Sequence, residues 1–515
     1  MFWDDEDNIL KNVYVQDWRY FGKYFSENLL AGAGLLSNLW RPLVLFSHSL
    51  EWHLWQNWAV GYHLTNICLH LANTFLVFFL LKRWLKKPFL AWGVAIFFLV
   101  HPIQTESITY VSGRGDVLSA FFVLLGLFFY TETKFSLSFL NRRLFYLLTL
   151  GSYFLALLTK EISIVFPLYL LMVEIFVWQE KNKDKTQYYL NLSFRLLPFF
   201  LMSAVYLFLR ATVLNFQNTF NLYNEATFYT VHLSVRIFTF LKVLIIYFGL
   251  LFCPNNLHME RTIEIPASFL SAPVMLGAVV LIGLISFSLF SWRRQSKYSL
   301  AIFWFLVGLI PTSGILVPIN NLLSEHWLYF PIIGFCLFWG LAASSLIRKF
   351  PRLNLPIGIS VSILAVFFLI LTIRRNADWR TPITFYENVL QYNQKSVRIW
   401  NNLGMAYIKA GETEKALRAY QKAIELDTKQ ESAATYHNLA ILYQTLGQTE
   451  KAIKNYENAL NIDGKFIFSY FPLANLYLEQ KEPSLAISVL KKAAKIFPDN
   501  KEFKNALLFL EKENF

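Results

Sequence analysis

Apolar runs separated by short polar breaks follow one another from about residue 60 to residue 374. A helix needs about 20 apolar residues to cross a bilayer, and candidate spans fall at about 60–81, 89–101, 116–131, 144–159, 162–178, 196–211, 269–291, 299–312, 326–347 and 355–374. The pattern therefore predicts an all-α, polytopic membrane domain of about ten spans. A further apolar run, 229–252, carries His232, Arg236 and Lys242. Residues 8–58 are amphipathic, aromatic and broken by polar stretches, which predicts short helices lying along the interface rather than crossing it. Beyond Arg375 the pattern changes to the period of soluble amphipathic helices rich in Ala, Glu, Lys, Asn and Tyr.

In that last part a repeat of 34 to 36 residues is visible. Trp400, Leu403, Gly404, Tyr407, Ala416, Tyr420 and Ala423 define one copy. Leu439, Ala440, Tyr443, Ala452, Tyr456 and Ala459 define a second, and Leu473, Ala474, Tyr477, Ala486, Leu490, Ala493 and Pro498 a third. Small residues sit where paired helices cross and large ones fill the gap to the next pair, the signature of tetratricopeptide repeats. The expected division is a membrane domain over 1–376 and an α-solenoid over 377–515. The solenoid holds a half-repeat at 380–395 and repeats at about 397–430, 433–466 and 467–500. Such arrays offer a concave face to polypeptide partners.

Composition agrees: the 515 residues are 55% hydrophobic and 16% charged, against about 25% charged for a soluble domain. The net charge of +13 lies mostly in membrane connectors, so no nucleic-acid partner is expected. Connectors 82–88, 132–143, 179–195, 292–298 and 348–354 hold seventeen Lys and Arg, whereas 102–115, 160–161, 212–228, 253–268 and 313–325 hold only Arg114, Lys160 and Arg261. The positive-inside rule places the first set in the cytoplasm. The alternation survives past residue 268 only if 229–252 lies in the membrane plane or re-enters; an extra crossing is the alternative. The acidic start, the 101–116 loop and the repeats then share the non-cytoplasmic side. Cys68, Cys253 and Cys336 have no metal or disulfide spacing and read as packing residues.

Ionisable groups at the edge of the hydrocarbon layer are costly unless paired or facing a watery cavity. Within sixteen positions the 101–116 loop carries His101, Glu106, Arg114 and Asp116, and other connectors on the same side bring Lys160, Glu161, Glu325 and His326. An active site assembled at one end of a helical bundle would look like this; ordinary solvated loops are the plainer alternative.

The order of these elements resembles a known family. An acidic pair, Asp4-Asp5, precedes Arg41-Pro42-Leu43, Gly61-Tyr62-His63-Leu64-Thr65-Asn66 and Leu69-His70. His101-Pro102, Thr105-Glu106, Gly113-Arg114, Asp116, Lys160-Glu161 and Glu325-His326-Trp327-Leu328-Tyr329-Phe330-Pro331 follow, ahead of the repeats. This is similar to the transmembrane and tetratricopeptide-repeat-containing O-mannosyltransferases and their bacterial relatives, of the GT-C glycosyltransferase fold. The resemblance implies an inverting enzyme that moves a sugar, mannose by analogy, from a polyprenyl-phosphate carrier to a hydroxyl acceptor such as protein Ser or Thr. It implies Asp4 and Asp5 as the catalytic acids, Asp5 slightly preferred as base, since an alcohol needs a carboxylate to take its proton. It implies Arg114, with Lys160 and His101 behind it, on the leaving phosphate, and Glu106, Asp116, Glu161, Glu325 and His326 around phosphate and sugar. An Asp-Asp pair without a third clustered ligand is compatible with a divalent ion and equally with none. The family also carries a membrane helix just before its acids, and only Phe2 and Trp3 separate Met1 from Asp4, so that first helix is expected upstream. A non-catalytic membrane anchor whose repeats scaffold other proteins is the competing reading, and a transferase acting on a glycan or lipid is a third.

Overall fold

The computed structural model describes residues 2–178, 185–216, 227–293, 297–319, 321–428 and 432–512. The connector stretches 179–184 and 217–226, which entered the charge count, lie outside them. Among the described residues there is no strand. The chain divides into two units, Met1–Trp379 and Arg380–Phe515.

In the first unit, short turns of helix lead to α1 (Pro42–Trp55). They are followed by α2 (Ala59–Leu85), α3 (Pro88–Val100), α4 (Arg114–Phe135), α5 (Phe139–Thr159), α6 (Phe166–Phe176), α7 (Lys185–Ala211), α8 (Leu233–Phe252), α9 (Ala272–Arg293), α10 (Lys297–Leu309), α11 (Ile332–Lys349) and α12 (Asn354–Asp378). Among the described residues seven helices are long and apolar enough to cross a membrane, or eight if α3 and the helical turns at Pro102–Thr109, bent by 51°, form one span. The expected ten also counted α5, α6 and α10. Arg142 and Arg143 dilute the start of α5. Residues 160–165 turn tightly rather than continuing a helix, which leaves α6 with 11 residues, and α10 has 13. At 1.5 Å per residue neither covers a hydrocarbon core of about 30 Å.

The bundle has two chemically distinct ends. At the basic end, Lys87 Nζ donates to Ser344 Oγ (3.2 Å) and Lys297 Nζ to the Phe176 carbonyl (2.7 Å). Glu174, near the same end, is fully buried. Its carboxylate takes hydrogen bonds from Tyr130 (2.6 Å), Lys134 (3.1 Å), Arg195 (2.8 Å) and Tyr188 (3.3 Å), tying α4, α6 and α7 together.

Helix α8 is apolar enough to span, and contacts near both of its ends fix its place. The Leu251 carbonyl takes a hydrogen bond from His101 Nε2 (3.0 Å). Just before the other end, the Tyr229 hydroxyl lies so close to Gly314 that a Cβ there would approach it to 2.1 Å, in a connector where Gly314 also needs φ of +69°.

Helix α12 stands apart, only 6% buried over its most apolar window. It is fastened chiefly near its end, where Thr372 Oγ1 donates to the Val100 carbonyl (2.7 Å) and Thr109 Oγ1 to Asn376 (2.6 Å). Below these bonds it leaves an open, mostly apolar cleft against α3 and α11. Gly93, Gly340, Ala343 and Gly358 line the cleft, and His101, Leu251 and Phe368 lie along it.

The second unit contains α13 (Pro382–Tyr392), then the pairs α14 (Val397–Lys409) with α15 (Thr413–Leu426), α16 (Ala433–Thr445) with α17 (Thr449–Ile462), and α18 (Tyr470–Glu479) with α19 (Pro483–Ile496), and finally α20 (Lys501–Lys512). Ala416, Ala423, Ala452, Ala459, Ala486 and Ala493 are fully buried at the pair crossings. A Cβ on Gly404 would meet the Tyr420 ring at 2.5 Å, so closely do α14 and α15 cross. Tyr407 donates to Glu387 and Tyr477 to Glu457, both at 2.6 Å, each linking a pair to the helix before it.

Candidate active site at one end of the bundle

The acids at the start of the chain are held by a small core of their own. Ile9, Val15, Tyr24, Leu29, Val44, Leu45, Tyr62 and Val111 are buried together, which lays the first residues across the turn at 110–113. Asp5 is 4% exposed, and its Oδ1 accepts from the Ser112 backbone N–H (2.9 Å) and hydroxyl (2.6 Å). Burial pushes the Asp5 carboxyl up to about 6, against the pull of those hydrogen bonds. Asp4 is exposed, with one oxygen anchored by the Tyr110 hydroxyl at 2.6 Å. Trp3, just before it, sits at φ +60°, a conformation that non-glycine residues adopt sparingly and often at functional sites. The geometry thus distinguishes the two neighbours: Asp5 is pinned, and Asp4 is presented.

Arg114 is enclosed by protein. It is fully buried; its Nε donates to Asn66 (2.7 Å), its Nη2 to the Tyr62 carbonyl (2.9 Å), and its Nη1 to Glu51. A guanidinium saturated in this way holds α1, α2 and α4 together and is not presented to a leaving group. Lys160 is similarly engaged, with its Nζ 2.7 Å from both oxygens of Asp116, and both residues are buried. Glu161 pairs with Arg41 (2.5 and 3.1 Å). His101 accepts from the Ile103 backbone N–H and donates to Leu251.

Glu106, His326 and Glu325 come together elsewhere at the same end. His326 Nδ1 is 2.5 Å from Glu106 Oε1. Glu325, 1% exposed, accepts from Arg261 (2.9 Å) and from the His258 backbone N–H (2.7 Å), with Arg375 3.9 Å from its other oxygen. Trp379 joins this group to the acids: its ring lies 6.2 Å from Phe2 and 5.8 Å from Tyr110, and the Arg375 guanidinium is 5.8 Å from it. Asp116 and His326 also line an enclosed cleft with Ser163, Tyr169 and Thr312. Among the described residues no cluster of three or more His, Cys, Asp or Glu is arranged to hold a metal ion.

Several participants escaped the sequence reading: Glu51, Tyr110, Arg375 and Trp379 as groups with a role, and Arg41 and Arg261 as more than a motif and a charge count. Arg261 carried a signal, being the single Lys or Arg of connector 253–268. Glu51 lies three residues from His48 on α1, both fully or nearly buried, a spacing that places two polar groups on one helical face.

Comparison with known proteins supports the same kinship. Models of the tetratricopeptide repeat match residues 395–465 and 469–500. Protein O-mannosyl-transferase F38B6.6 of Caenorhabditis elegans is 24% identical over 444 residues, which cover 82% of this chain and 59% of that protein. Protein O-mannosyl-transferase TMTC3 is 25% identical in Mus musculus and 24% in Homo sapiens, in each case over 75% of this chain and 44% of the relative. The chain is related to the transmembrane and tetratricopeptide-repeat-containing O-mannosyltransferases. It spans about half the length of these O-mannosyltransferases. Among solved structures, a crystal structure of MamA matches 26% of the chain at 22% identity with a TM-score of 0.23, too slight a likeness to carry an argument.

Proposed function

We propose that this protein is a membrane glycosyltransferase that moves a sugar, mannose by kinship, from a polyprenyl-phosphate carrier to a hydroxyl acceptor, with inversion, on the non-cytoplasmic face. The observation that carries the reading is the meeting, at one end of the bundle, of a presented carboxylate, two arginines and the mouth of an apolar cleft. Asp4, exposed and steadied by Tyr110, takes the proton of the acceptor hydroxyl as its oxygen attacks C1 of the sugar and the bond from C1 to the phosphate oxygen breaks. Asp5 keeps that turn in place through Ser112. Arg261 and Arg375 meet the charge that gathers on the departing phosphate, the part first expected of Arg114. The carrier's tail lies in the cleft beside α12, and the repeats offer a surface for an acceptor polypeptide.

The test is transfer itself. The purified full chain in lipid nanodiscs, given polyprenyl-phosphate mannose and a Ser/Thr-rich peptide, is expected to yield mannosyl-peptide detectable by mass spectrometry. Absence of transfer from any polyprenyl-phosphate hexose, to peptide or to small acceptors, overturns the enzyme reading in favour of a scaffold.

A further inference from the structure

The carboxylate of Glu325 lies where an anion is best received in this part of the molecule. Its Oε1 accepts from a guanidinium, Arg261 Nη2 at 2.9 Å, and from a backbone N–H, that of His258, at 2.7 Å. Its Oε2 is 3.9 Å from Arg375 Nη2. Arginine forks and backbone N–H groups are also the donors that hold phosphate oxygens. Arg261 has capacity to spare, since its buried Nε has no hydrogen-bond partner among the described residues.

The location fits a ligand with a tail. Leu251 and Phe252 line the apolar cleft, and His258 and Arg261 follow on the segment that leaves it. On the other wall Phe368 lines the cleft, and Arg375 stands seven residues further along α12, about 10 Å at 1.5 Å per residue. An anionic head between the two arginines therefore projects its chain into the cleft. The occupant, however, is a residue of the protein. Glu325 is an uneasy one: it is 1% exposed, burial pushes its carboxyl above the ordinary carboxylate range despite the arginines, and a second buried carboxylate, Glu106, is held by the adjacent His326.

We infer that Glu325 is a built-in competitor for the headgroup: its carboxylate fills the phosphate seat between Arg261 and Arg375 in the empty protein, and the phosphate of a polyprenyl-phosphate ligand displaces it. This rests on the lipid-phosphate transferase reading above. An internal competitor lowers the apparent affinity by the fraction of sites it leaves open, so it also promotes departure of the spent carrier after each turnover.

The experiment measures binding of polyprenyl phosphate to the purified full chain in nanodiscs, wild type against Glu325→Gln, with uncharged polyprenol and inorganic phosphate as further ligands. Glu325→Gln is expected to bind polyprenyl phosphate about tenfold more tightly and polyprenol no differently. Unchanged or weaker binding overturns the inference, as does an equal gain for polyprenol. Inorganic phosphate binding as tightly as the lipid overturns the assignment to a lipid head. A variant that does not fold leaves the wild-type readout decisive: in infrared difference spectra of the full chain carrying isotope-labelled glutamate, a carboxylate band is expected to shift when polyprenyl phosphate, but not polyprenol, is added, and an unaltered spectrum overturns the inference. Tightened binding without any sugar transfer counts against the enzyme reading alone, whereas transfer with no effect at Glu325 counts against this inference alone.

Discussion

Glu174 and Asp4 are both carboxylates of the membrane unit, one near each end of the bundle, and their surroundings could hardly differ more. Glu174 is sealed among two tyrosines, a lysine and an arginine, with no exposed surface. Asp4 is exposed and is held by the Tyr110 hydroxyl, at the end where Arg261 and Arg375 converge on one glutamate. A buried charge is therefore not in itself the mark of a site. Arg114, whose three nitrogens are all engaged, belongs with Glu174 in this respect. The useful distinction is between charges whose partners are satisfied within the fold and charges left facing outward or sharing partners.

That contrast can be broken experimentally. Asp4→Asn is expected to reduce transfer by about 10²- to 10⁴-fold, the usual worth of a general base, with the thermal midpoint in detergent unchanged; retained transfer would remove Asp4 from the chemistry. Glu174→Ala should do the reverse. Removing one member of a buried ionic network costs about 3–5 kcal/mol, so the unfolding midpoint should drop sharply, while the donor KM of whatever protein folds stays as in the wild type. A shifted KM with intact stability would show that the basic end takes part in catalysis. The smallest effect concerns Asp5. Its carboxyl titrates near 6 when folded and near 4 when unfolded. Between those values the folded chain keeps a proton that the unfolded chain has lost, so this residue makes stability fall as pH rises from about 4 to about 6. Asp5→Asn is expected to flatten that part of the stability profile relative to wild type, and superimposable profiles would contradict the pinned, buried carboxyl.

Much of the architecture was legible because it is periodic. The helix pairs of the second unit follow a repeat of 34 to 36 residues, and Gly404 and the alanines at each crossing announce how closely those helices approach. The span count was less so: an apolar run does not reveal that the chain turns at 160–165 and shortens α6 to 11 residues. Within the site, residue types could be picked out, but pairings could not. Arg114 meets Glu51 from 63 positions away and Glu161 meets Arg41 from 120, separations with no local signature. Which arginine is spoken for and which is at hand is settled only by tertiary packing.

Helix α12 leaves its apolar length almost uncovered by protein, a surface suited to lipid, and it carries Arg375 and Trp379 at and just beyond its end. The tilt of such a helix answers to the thickness of the surrounding bilayer. On the function proposed above, a thinner or thicker membrane would raise or lower one wall of the candidate site against the other, making bilayer composition a variable of turnover as well as a solvent for the protein.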